Sequence, residues 1–395
     1  MRTHKRLILD CAVAGILCVM TRVVFGDATN EPAAGSAIPT NSAMAITRTP
    51  LVIKGLYGSA AGHKSVSRVT AAATANGLRW LRDSQNANGS WGMDTNALTA
   101  ETGLSLLAFL AHGDTPASPE FGTAIEKGIR FLMTTMSPTN GPRASSPSST
   151  VGHAISTWAL CESYSMTRIP VLKPIARDAL AIILKGQRQS GLWDSSYRTD
   201  GGDDAEASVW QVLALKGGLM GDVMDEKPLR EALRRSADAM KEILAAQPDT
   251  GTVAGAVLCL QLCGEGRNPV SRSALKSIES LTPDWNSPSF KDPMFRWHLA
   301  TQAFFHEGAQ PWVRWNRLFN PMLVEHQVVQ TNTVGQATGY WASPGDGERF
   351  GRTYSTALAL LMLQVYQQRH LPMYQPAAIE EEKDAPAQDV EIHVQ

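Results

Sequence analysis

Residues 199–215, TDGGDDAEASVWQVLAL, crowd Asp200, Asp203, Asp204 and Glu206 into the start of an apolar helical segment. Carboxyl groups held this close repel one another's charge, and burial adds to the effect. One of them then keeps its proton near neutral pH and can donate it. Asp203, Asp204 and Glu206 are the candidate members of such a site. The same acids suit the first turn of a helix, where Asp caps free N–H groups and negative charge meets the positive end of the macrodipole. Cation binding is a third use, and residue types alone leave all three open.

Other carboxylates invite a different chemistry. Glu101, Glu162, Glu206 and Glu307 fall on apolar helical segments or at their ends. Glycoside cleavage needs two such groups facing one cleft, with aromatic side chains as sugar platforms. Trp91, Trp193 and the Tyr340-Trp341 pair are the loop aromatics available for that. His153, His298 and His306 lack the Cys/Asp spacing of a zinc site, so neither metal nor cofactor is expected. Cys259 and Cys263 sit four apart on one helix face, a poor geometry for a disulfide. With Cys161 they read as buried free thiols.

The elements that must position these groups repeat. GLRWLRDSQNANGSWG (77–92) runs from an amphipathic helix into Gln85 and then Gly89-Ser90-Trp91. ALAIILKGQRQSGLW (179–193) repeats the pattern with Gln187 and Trp193. A third copy carries Gln327, a longer loop and Trp341, and KGIRFLMTTM (127–136) keeps only the front half. Each is followed by a small-residue helix apolar nearly all round, as in AETGLSLLAFLAHG and TYSTALALLMLQVY. Two more such helices, TVAGAVLCLQLCGEG and FRWHLATQAFFHEG, stand in register between them. Six helix pairs of roughly 50 residues, each with a buried and a half-exposed member, fit a repeat array. Polar caps, which an open solenoid needs, are missing. The expected fold is all-α, an (α/α)6 toroid of two concentric helix rings over residues 63–375.

The spacing of Gln85, Gly89 and Trp91 resembles the QW motif of squalene–hopene and oxidosqualene cyclases, in the prenyltransferase/squalene-oxidase repeat superfamily. The full match at 77–91, the near match at 179–193 and the partial ones span most of residues 65–372. FRWHLATQAFFHEGAQPWVRWN and TYSTALALLMLQVYQQRHLP also resemble small exported toroid proteins of that superfamily without an assigned activity. The resemblance implies that Gln85, Trp91, Gln187, Trp193, Gln327 and Trp341 hold the ring's seams and take no part in catalysis. Against the cyclase acid motif D-x-D-D-T, Asp204 and Glu206 match in kind, while Ala207 replaces the last carboxylate. Trp158, Trp210, Trp297, Phe304 and Phe305 fall on inner helices as pocket-lining or core aromatics. LCGEG (262–266) is similar to the thioester sequence of complement-type toroids, but Gly266 stands where the acyl-bearing glutamine must be.

Bulk properties narrow the partners. Apolar residues make up 43% of the 395, enough for a large core, and Lys+Arg 36 against Asp+Glu 37 gives no basic field for nucleic acid. Residues 1–28 have a basic start, a short apolar run and small residues before a cut after Ala28, the order of a secretory signal. That run is too short for a stable membrane span. Residues 29–62 read as a linker and 376–395 as an acidic, solvated tail. The expectation is an exported toroid that binds an apolar small molecule or a protein partner without catalysis. The alternative is a degenerate class II terpene cyclase using Glu206.

Overall fold

A computed structural model describes residues 67–371, apart from 96, 138–148, 199, 247, 287–291, 345–350 and 366–370. The signal, linker and acidic tail expected from the sequence lie outside the described residues. The described residues all belong to the second of two units, Arg48–Gln395.

Twelve helices alternate between two layers among the described residues. The outer members are α1 (Arg68–Asp83), α3 (Gly122–Met136), α5 (Leu172–Gly186), α7 (Glu226–Ala245), α9 (Pro269–Ser277) and α11 (Ala309–Glu325). The inner members are α2 (Leu98–His112), α4 (Thr150–Thr167), α6 (Ala205–Met220), α8 (Thr250–Leu262), α10 (Pro293–Glu307) and α12 (Gly351–Leu363). Each inner helix packs on the next, and α12 returns onto α2, so the inner ring closes. The fold is an α/α toroid.

The sequence sorts the layers by apolar periodicity. Outer helix α7 buries Leu229, Ala232, Leu233, Ser236, Ala237 and Met240 on one stripe. Its other face carries ion pairs such as Arg230–Glu226 and Lys241–Asp238. Inner helix α8 is buried from Val253 to Leu260 without a break, as a helix covered on both sides must be.

Three glutamine–tryptophan clasps join the outer helices. Gln85 Nε2, just past α1, donates to the Ala124 carbonyl on α3 (2.8 Å) and to that of Gly89 (3.0 Å). Gln187, after α5, does the same to Ala232 on α7 and to Gly191, both at 2.9 Å. Gln327, after α11, donates to Ala73 on α1 (2.8 Å) and so closes the outer ring. The indoles of Trp91, Trp193 and Trp341 donate back to Leu81, Ile183 and Leu323, at the end of the preceding outer helix. A hydroxyl on the following inner helix (Thr102, Ser208 or Thr356) accepts the backbone N–H of each of these tryptophans. All three tryptophans are fully buried, so orphan helix-end carbonyls are satisfied while a large ring covers the seam.

The longer loop of the third clasp is a β-hairpin, β1 (Val328–Thr331) antiparallel to β2 (Ala337–Tyr340). It follows from β-branched Val328, Val329 and Thr331 ahead of the turn at Asn332–Gly335.

Candidate functional site

The first turns of the inner helices meet at one end of the ring. Ser156 of α4 donates to the Thr99 carbonyl of α2, and Gln211 of α6 to the Thr150 carbonyl of α4. Glu206 of α6 pairs with Arg296 of α10 at 2.8 Å. Tyr354 of α12 donates to the Asp292 cap of α10 at 2.6 Å, and Thr353 beside it hydrogen-bonds Glu101 of α2. The helix N-termini thus form a mouth lined with carboxylates.

Several of these acids are helix caps. Asp204 accepts from the Ala207 N–H, Asp249 from Gly251 and Thr252, and Asp292 from Phe295. Asp203 ties the rim loop by accepting from Ser190 and pairing with Arg188. The structure therefore gives Asp204 the capping role and places Glu206 one turn-position further on. The Glu206 side chain is 45% exposed. Partial desolvation pushes its pKa up, the Arg296 guanidinium pulls it back, and Asp292, Asp204 and Asp249 push it up again.

A cleft of about 220 Å³, counting the part open to solvent, lies beside this ion pair. Val209, Met240, Gly255 and Ala256 make its apolar floor, and Glu206, Arg296 and Thr252 its polar edge. Trp158, Trp210, Trp297 and Phe304 are not among its lining residues.

Those aromatics pack against other rings. Trp210 of α6 stacks on Phe295 of α10, with centroids 5.0 Å apart and planes at 19°. Trp158 of α4 meets Trp210 at 6.5 Å, and its indole N–H donates to Glu162 at 3.0 Å. The α6–α10 contact passes inside α8, where Gly255 lacks the Cβ that would press on Val209 and Leu299. Trp158, Trp210 and Phe295 are each at most 2% exposed, a buried aromatic cluster that links α4, α6 and α10. Trp297 and Phe304 turn towards Trp285 and the outer-helix Trp315, while Phe305 lies against Trp312 of the same outer helix.

Glu101 is the titratable group that stands out. It is 7% exposed, and burial, helped by the charge of Asp94, pushes its pKa up to about 7 against the Thr353 hydrogen bond. Gly92, at φ +100°, makes room for this carboxyl, because a Cβ there would collide with Oε2. Of the other acids, Glu162 is fully buried deep in the ring and Glu307 ends α10 at the opposite face. Glu101 and Glu206 therefore share the mouth. Asp94, Arg296, Thr353 and Tyr354 complete it; residue type and spacing did not mark them, because Arg296, Thr353 and Tyr354 act through contacts far apart in sequence and Asp94 through a loop of no recognisable pattern.

His153 belongs to a satisfied chain. Tyr197 gives its hydroxyl proton to Gln211 (2.9 Å), so His153 Nδ1–H donates to the Tyr197 oxygen (2.8 Å). Burial lowers the pKa of His153 to about 4, and that of fully buried His298 likewise. Cys161, Cys259 and Cys263 are free thiols. Among the described residues no three His, Cys, Asp or Glu side chains are grouped to hold a metal ion, and no helix is long and apolar enough to cross a membrane.

The geometry defines an α/α toroid with Glu101, Glu206 and Arg296 at one mouth, and solved structures share its fold. The α-1,6-mannanase GH76A from Salegentibacter sp. HEL1_6 aligns over 76% of this chain and 98% of its own, with TM-score 0.53 and 14% identity. An inactive variant of that enzyme, with two aspartates changed to alanine and α-1,6-mannotetrose bound, aligns over 78% and 100%, with TM-score 0.53 and 13% identity. A type II terpene cyclase, MstE from Scytonema, holding geranylgeranyl dihydroxybenzoate, aligns over 77% and 98%, with TM-score 0.45 and 12% identity. At 14% identity what the mannanase shares with this chain is the fold. No family model matches the sequence, and no curated protein is significantly similar to it.

Proposed function

We propose that this chain is an exported, non-catalytic toroid of the squalene-cyclase/prenyltransferase repeat type, and that it captures a protein partner at the inner-helix mouth. The Trp158–Trp210–Phe295 cluster carries the reading. A cyclase folds its substrate in a deep, dry cavity beneath the acid, and here a buried aromatic cluster lies one turn below Glu206 on α6, which favours a filled centre. An apolar small molecule faces the same obstacle. Glu206, half exposed and paired with Arg296, suits an ion-pairing rim better than protonation of an alkene. Among the described residues carboxylates outnumber guanidinium groups around the mouth, so the partner surface expected there is basic.

The test uses lysine- and arginine-rich peptides with the full chain in titration calorimetry, at low and high salt. Binding that weakens with salt and is lost in Glu206→Lys supports the reading; no binding by any basic peptide overturns it. Export is tested by sequencing the secreted protein, which should begin at Thr29.

A second reading rests on Glu101. A buried carboxyl with a pKa of about 7 beside Asp94 is suited to general acid catalysis on a glycosidic oxygen. Reducing sugar released from α-1,6-mannan by the wild type and not by Glu101→Gln would favour it over the binding reading.

A further inference from the structure

The hairpin leaves an edge that the ring does not use. All four residues of β1 are exposed, and Val328, Val329 and Val334 at the turn are 43%, 57% and 73% exposed. β2 packs on α1 and lies between that helix and β1, so β1 is the outermost strand. The turn is closed by Asn332 N–H donating to the Gln336 carbonyl at 2.9 Å. From that bonded pair, antiparallel alternation makes Gln330/Thr338 and Val328/Tyr340 the next bonded pairs. The N–H and C=O groups of Val329 and Thr331 therefore point away from β2. Natural edges are blunted by lysine, proline or a bulge. Val-Val-Gln-Thr has none of these.

The chain carries a segment of matching chemistry. Val390-Glu391-Ile392-His393-Val394 alternates apolar and polar residues with the period of a strand, and no proline follows Pro386. From Leu371, the last described residue, to Val390 is 19 residues, which span up to ~63 Å when extended. The ring helices, at about 1.5 Å per residue, are roughly 20–30 Å long, so the tether reaches either face. Tethering supplies an effective concentration in the millimolar range, enough to populate a strand pairing too weak for a free peptide.

We infer that residues 389–394 add to the free edge of β1 as the third strand of the sheet, with backbone hydrogen bonds to Val329 and Thr331. The acidic, solvated part of the tail then ends near Gln388. This pairing is independent of what the mouth binds.

The experiment is amide exchange resolved to single residues on the full chain and on its Ile392→Lys variant. A lysine at 392 removes the central apolar contact without touching the ring, and an unchanged melting temperature confirms that the fold is intact. The amides of Val329 and Thr331 are expected to exchange at least about tenfold faster in the variant, with those of β2 unchanged. A peptide of residues 386–395 in excess should restore the slow exchange. Equal exchange at Val329 and Thr331 in both proteins overturns the inference. Protection that grows with protein concentration equally in both also overturns it, and assigns the edge to a second copy of the chain.

Discussion

Trp210 on α6 stacks on Phe295 on α10 across the inside of α8, with ring centroids 5.0 Å apart. The two helices are not neighbours in the ring. Between them Gly255 on α8 presents no side chain, and a Cβ there would press on Val209 of α6 and Leu299 of α10. The pair, continued by Trp158, is the plug on which the non-catalytic reading rests.

Removing the plug should be costly. Trp210→Ala takes a buried indole from the axis and leaves a cavity that rigid helices close only in part. A loss of about 3–5 kcal/mol is expected in denaturant unfolding. Trp297→Ala, which loses contact with the half-buried Trp285, should keep the plug and leave the axis closed to apolar probes.

The clasps should differ in strength. Gln187 is buried, and besides two carbonyls it reaches Ser236 (3.1 Å) and the Arg235 guanidinium. Gln85 is half-buried and reaches two carbonyls only. Gln187→Ala should therefore cost about 2–3 kcal/mol, and Gln85→Ala about 1 kcal/mol. Neither should change binding at the mouth. Equal losses would contradict the bond assignments.

Glu101 should make stability depend on pH. Its pKa is raised from 4.5 to about 7 on folding, so between these values the folded chain binds a proton that the unfolded chain has lost. Its contribution is full below pH 4.5 and is lost as pH rises through about 7. Relative to Glu101→Gln, the wild type should lose on the order of 2–3 kcal/mol across that window and then level off. A flat difference between the two proteins would show that the carboxyl is ionised throughout.

Gly92→Ala bears on the same group. The new methyl would press on the Glu101 carboxyl at a backbone angle that alanine resists, so a melting temperature several degrees lower is expected. The double variant with Glu101→Ala should recover part of the loss.

The toroid was legible because its signals are local. Spacing within one loop sets the Gln85–Trp91 and Gln187–Trp193 clasps, and an apolar helix such as α8 declares burial on both sides wherever it packs. Helix capping by Asp204 was likewise readable from a short acidic run ahead of an apolar segment. The mouth was not legible in the same way. Glu206 meets Arg296 across 90 residues, and Glu101 meets Thr353 only because α12 returns onto α2. The closed axis was also hidden, since Trp158, Trp210, Trp297 and Phe304 look alike in sequence. Two of them meet along the axis, while Trp297 and Phe304 lie against Trp285 and Trp315. The hairpin had a signal in its valines and its Asn332–Gly335 turn, masked by reading the third clasp as a long loop.

The most direct test of the plugged axis is product analysis by mass spectrometry. Residues 29–395 would be incubated with squalene and with linear prenyl diphosphates, beside the Glu206→Gln variant. No cyclised product is expected from either protein. A cyclised product made by the wild type and lost in Glu206→Gln would show that the axis opens, that Glu206 delivers a proton into it, and that binding at the mouth is not the function.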